Sequence, residues 1–113
     1  MRYKDPKLVK SPGSKISQVD VIYDGGGLKA GDTGFSIAIV TWAGERKLAM
    51  RWNISENEWS DPDKTSGVKE CVGNPQSRGY ANWFIIPLQI FNPENPITSE
   101  VIKKLGALNM GNP

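Results

Sequence analysis

The sequence runs to 113 residues with a formal net charge of +2; 38% of its residues are hydrophobic and 23% charged, and it holds 12 glycines and 8 prolines. That length suits one domain, since domains cluster near ~100–150 residues. Histidine is absent and Cys71 is the single cysteine, which excludes a Cys/His zinc site, an intrachain disulfide and any Ser-His-Asp or Cys-His pair.

Charge is uneven along the chain. Residues 1–15 set Arg2, Lys4, Lys7, Lys10 and Lys15 against Asp5 and carry +4, while the remainder carries −2. The first 15 residues therefore read as a basic, flexible arm, able to reach nucleic acid through counterion release. A single β-rich domain over residues 16–113 follows. No apolar run approaches the ~18–20 residues of a membrane span. The arm lacks the apolar core of a secretory signal, and a lone thiol suits a reducing compartment. The expectation is a cytoplasmic protein with no membrane partner.

The first predicted strand is Ile16 to Tyr23, with Val19, Val21 and Tyr23 alternating onto one face. Asp24-Gly25-Gly26-Gly27 opens a glycine-rich stretch to Gly34. It lacks the Gly-Lys-Ser/Thr ending of a phosphate loop, so it reads as a mobile hairpin connection. Phe35 to Trp42 is apolar on both faces and predicts a central strand covered on both sides. Ala43 to Arg46 supplies a turn, and Lys47 to Asn53 returns as an antiparallel partner.

Residues 54–79 are turn-rich, with Asp61-Pro62-Asp63, Ser66-Gly67 and Gly73-Asn74-Pro75. An irregular stretch of ~25 residues is rare in a compact domain. It is therefore either functional or hides a short strand near Val68 to Val72. A fourth strand is predicted over Tyr80 to Ile86, with Leu88 to Phe91 as an edge continuation. Asn95 and Pro96 then open a helix over about 96–108, striped by Ile97, Val101, Ile102, Leu105 and Leu108. The implied fold is α+β and mainly β: an antiparallel sheet or small half-barrel of four to five strands with one C-terminal helix packed on it.

Six residues stand out as candidate ligand contacts. Trp59 lies in the irregular stretch with no strand pattern to bury it, which leaves it either pinning its loop to the body or anchoring a partner. Gln76, Ser77 and Arg78 follow a tight turn at the lip of the fourth strand, and Arg78 offers a fork of donors suited to phosphate or carboxylate. Arg51 and Asn82 sit on strand faces where an apolar residue would serve. Together they form either a ligand-contacting edge or a set that satisfies loop carbonyls. The acids Glu56, Glu58, Asp61, Asp63 and Glu70 read as solvated loop groups, and Cys71 as a structural thiol without a base.

Two resemblances accompany these residues. Trp42-Ala43-Gly44-Glu45, Leu48-Ala49-Met50-Arg51-Trp52-Asn53, Gly73-Asn74-Pro75-Gln76-Ser77-Arg78-Gly79 and Trp83-Phe84-Ile85-Ile86-Pro87 resemble a group of small bacterial and mobile-element proteins with no assigned function, over residues 16–90. The order of four antiparallel strands and a terminal amphipathic helix resembles the positive-cofactor type of single-stranded-DNA-binding coactivator. That likeness implies a curved sheet gripping a single strand with basic and aromatic residues.

With no imidazole and no acid/base pair in evidence, the expectation is a non-enzymatic binding module without a cofactor. Its partner is single-stranded DNA or RNA, held by aromatic and arginine residues and the basic arm. The alternative is a protein partner docking on the 54–79 loop. An uncovered strand edge would also allow a homodimer.

Overall fold

A computed structural model describes residues 1–73 and 81–109. Four strands form one antiparallel sheet in the order β1-β2-β3-β4, with β1 Ile16–Asp24, β2 Phe35–Trp42, β3 Glu45–Trp52 and β4 Phe84–Ile86. A one-turn helix α1 (Pro62–Thr65) lies between β3 and β4, and α2 (Pro96–Asn109) ends the described chain. The fold is α+β, mainly β, as its alternating apolar runs predict.

β2 and β3 are joined by Ala43 and Gly44, both at positive φ (50° and 84°), with Trp42 paired to Glu45. Two left-handed residues define the hairpin turn whose twist matches that of its strands. β1 departs from regular pairing at two places, between Ile16 and Gln18 and between Val21 and Tyr23. The second irregularity moves Tyr23 opposite Ile37, onto the other face from Val19 and Val21, which pair with Val40 and Ala38.

The two faces of the sheet differ. The inner face buries Ala38, Val40 and Ala49 against Val9, Ile16 and Trp83. On the outer face Phe35, Ile37, Ile39, Leu48 and Met50 are only half-buried, and Phe84 is exposed. β2 is thus sealed on one side and half open on the other, not covered on both sides as its composition suggests.

Residues 1–15 differ most from expectation. The segment expected as a flexible arm packs along the inner face. Val9 is fully buried, and its carbonyl accepts the Trp83 indole N–H at 2.7 Å. The Trp83 amide donates to Ser11 O, and Cys71 N donates to Arg2 O beside a parallel bridge between Tyr3 and Cys71. Arg2 also pairs with Glu70 at 3.1 Å. A buried Trp83 needs an acceptor for its N–H, and the Val9 carbonyl supplies it.

Three smaller differences concern residues 54–95. Of the stretch Val68 to Val72, only Cys71 pairs, through that bridge. Leu88–Phe91 forms a 3₁₀ turn instead of an edge strand. Helix α2 begins as predicted, with Ile97 N–H donating to Asn95 Oδ1 at 2.8 Å, yet it does not lie on the sheet. Its packing is against the 88–91 turn, and Ile97, Val101, Ile102 and Leu105 stay exposed.

Candidate functional site

The chain from Ile54 to Gly73 is organised by one side chain. Glu58, in the 3₁₀ turn Glu56–Ser60, is buried. Its Oε1 accepts Ser55 N–H at 2.9 Å and Gly73 N–H at 2.8 Å; its Oε2 accepts Val72 N–H at 2.8 Å and pairs with Lys64. Burial alone would raise its pKa, but the donations from Lys64, Ser55, Val72 and Gly73 outweigh it and hold the carboxyl below its ordinary value. From sequence Glu58 reads as one more solvated acid. The signal that could have found it is Ser55-x-x-Glu58, the capping-box spacing.

The other acids of this stretch have separate tasks. Asp61 Oδ1 accepts Asp63 N–H at 2.9 Å and starts α1, Asp63 lies 3.6 Å from Lys69, and Glu70 holds Arg2. Among the described residues no three His, Cys, Asp or Glu side chains converge on a metal position. Cys71 is buried, which pushes its thiol pKa up, with Glu58 adding to the effect.

Arg51 is fully buried on the inner face, with its guanidinium 6.0 Å from the Trp83 ring centroid. Nη2 donates to Val72 O at 2.9 Å and Nη1 to Asn82 O at 3.5 Å, while Nε finds no acceptor among the described residues. Burial lowers its pKa to about 10 against the opposing pull of Glu58, so it stays cationic at neutral pH. Gly73 sits at φ +81°, where a Cβ would fall 1.8 Å from Trp52 O and 2.7 Å from Arg51 Nη2. Arg51 and Asn82 are therefore brought together, but through the Asn82 carbonyl and beneath the surface. Gln76, Ser77 and Arg78 lie outside the described residues.

One surface concavity among the described residues is a groove of about 520 Å³ beyond the end of β3, lined by Trp52 and Trp59. A volume of that size falls in the range of ligand sites. Trp59 is 53% exposed on the 3₁₀ turn, and Trp52 is 44% exposed with its indole edge-on to Phe35 at 6.0 Å. The floor includes Gly27, Gly34 and Ile54, and the charged lining residues among those described are Asp32 and Glu56.

The glycine-rich connection forms one wall and is held by several bonds. Asp32 Oδ2 accepts N–H from Gly27, Leu28 and Lys29 at 2.8–3.1 Å. Those bonds, Gly27 first, keep its carboxyl below the ordinary range and charged. Buried Asn53 donates to Gly26 O at 2.7 Å and accepts from Ser36 Oγ at 2.9 Å. The sequence singled out Trp59 but not Trp52, Asp32 or Glu56, because β1–β2 loop and 54–60 turn meet only in the folded chain.

Among the described residues no helix is long and apolar enough to cross a membrane. Neither a family model, nor a curated protein, nor a solved structure matches the chain.

Proposed function

We propose that this domain is a non-catalytic binding module that takes a basic segment of a protein partner into the Trp52–Trp59 groove. The carrying observation is the pairing of two half-exposed indoles with acidic charge across one concavity. A lysine or arginine side chain suits such a lining, gaining about 0.5–2 kcal/mol from an indole face and more from a carboxylate beside it. Aromatic anchors in a groove are the usual centres of protein recognition. Arg51 is buried and so is withdrawn from any polyanion, whereas the lysines of residues 1–15 stay exposed and are tested by the oligonucleotide arm below.

The test is a titration of fluorescein-labelled Lys/Arg-rich decapeptides, their lysine-acetylated counterparts, and a 15-nucleotide oligothymidine, at low and moderate salt. The expectation is peptide binding that weakens roughly tenfold in Trp59→Ala, corresponding to about 1.4 kcal/mol, and also weakens in Glu56→Gln. Both positions are exposed, so thermal unfolding should be unchanged. Equal affinity for acetylated peptide, or binding of the oligonucleotide alone, would defeat the proposal.

A further inference from the structure

The groove leaves two apolar surfaces among the described residues unused. Helix α2 carries Ile97 and Ile102 at 65% and 62% exposure, with Val101 and Leu105 about half exposed. The outer sheet face presents Ile37, Ile39, Leu48 and Met50 half-buried and Phe84 at 45% exposure. A helix whose apolar stripe has no cover requires an apolar surface elsewhere, and this chain owns one of matching character.

The helix is held off its own sheet. Thr98, in the first turn of α2, is buried, and its hydroxyl donates to Gln89 O at 2.8 Å. Asn95 N donates to Asn92 O at 3.0 Å, and Asn95 caps the first turn. These bonds set α2 against the 88–91 turn. The radius of gyration is 16.0 Å, against about 13 Å for a compact chain of this length.

We infer that two copies of this chain associate with two-fold symmetry, the α2 stripe of each lying across the outer sheet face of the other. The four helix side chains leave about 400 Å² open and the five sheet side chains about 200–400 Å², so a reciprocal exchange buries on the order of 600–800 Å² per copy, within the range of a standard interface. The arrangement is isologous, because each copy gives and receives the same element. Trp52 closes the outer face at the end of β3 and also lines the groove, but Trp59 and Glu56 sit on the 3₁₀ turn beyond it, so Trp59→Ala tests the groove reading and Phe84→Glu tests this one.

Sedimentation equilibrium of the full chain, from micromolar to hundreds of micromolar, tests it. The expected species is a dimer of about 25 kDa, twice the 12.4 kDa chain. Ile102→Glu/Leu105→Glu on the helix and Phe84→Glu on the sheet should each raise the dissociation constant about 100-fold, by forcing an unpaired charge into the contact. All three side chains are exposed in the single copy, and circular dichroism with cooperative unfolding confirms that each variant folds. Mixing the two variants should restore part of the dimer, since one of the two contacts is then intact. A monomer at all concentrations overturns the inference. So does a dimer insensitive to Phe84→Glu, which would mean helix–helix pairing.

Discussion

Replacing Glu58 with glutamine probes the organisation of the 54–73 segment directly. The carboxylate accepts three backbone N–H groups and pairs with Lys64. An amide NH2 in place of one oxygen strands either Ser55 and Gly73 or Val72 and Lys64. Each stranded donor costs about 1–3 kcal/mol, and the charge facing Arg51 is lost as well. The expected destabilisation is about 3–5 kcal/mol, the range for removing one partner of a buried pair. That is a large share of the ~5–15 kcal/mol typical of a whole domain. Urea unfolding at pH 7, followed by tryptophan fluorescence, should show the midpoint falling by roughly 2–3 M for a slope near 1.5 kcal/mol/M.

A pH series adds a second reading of the same variant. The folded pKa of Glu58 is lowered, so its contribution is complete above the unfolded value near ~4.3 and is lost as pH falls through the folded one. The stability gap between wild type and Glu58→Gln should therefore shrink below pH ~4. A destabilisation under about 1 kcal/mol at pH 7 would show a solvated acid instead of a buried hub. A gap that stays constant down to the lowest folded pH would refute the linkage.

Two further substitutions test the backbone. Gly73→Ala should prevent the native packing of the 71–73 segment, because the added carbon collides with Trp52 O and Arg51 Nη2 at a left-handed φ; the expected loss is about 3 kcal/mol or more by denaturant titration. Ala43→Asn should act in the opposite direction. Alanine at φ 50° pays a left-handed penalty that asparagine before glycine largely avoids, so the melting temperature should rise by several degrees for a gain near ~1 kcal/mol.

The elements governed by short-range periodicity were legible in the residues. β2 reads directly from Phe35–Trp42 and the start of α2 from Asn95-Pro96, whereas the turn read over Ala43 to Arg46 is tighter in the structure, with Glu45 and Arg46 already in β3. What was not legible depends on partners far apart in the chain. Arg51 reads as a surface contact because nothing local shows that Trp83, Val72 and Asn82 enclose it. The role of residues 1–15 hinges on Val9 and Pro6, two buried residues in a lysine-rich run without period. The α2 stripe was legible as amphipathic, but amphipathicity states only that a cover is needed, not which surface supplies it. Of the candidate site, Trp59 was visible as an unburied aromatic with Glu56 on its own turn, whereas the second acid, Asp32, comes from a loop 27 residues earlier.

The bond from the Trp83 indole to the Val9 carbonyl spans 74 residues. During translation the amino-terminal stretch leaves the ribosome first, and its contacts with Trp83 form only once residue 83 has emerged. Vectorial synthesis thus produces a β1-β2-β3 meander with an unsealed underside, awaiting a closure of high contact order. Such closures are slow, which makes the nascent chain, more than the finished one, the form most exposed to aggregation and chaperone capture.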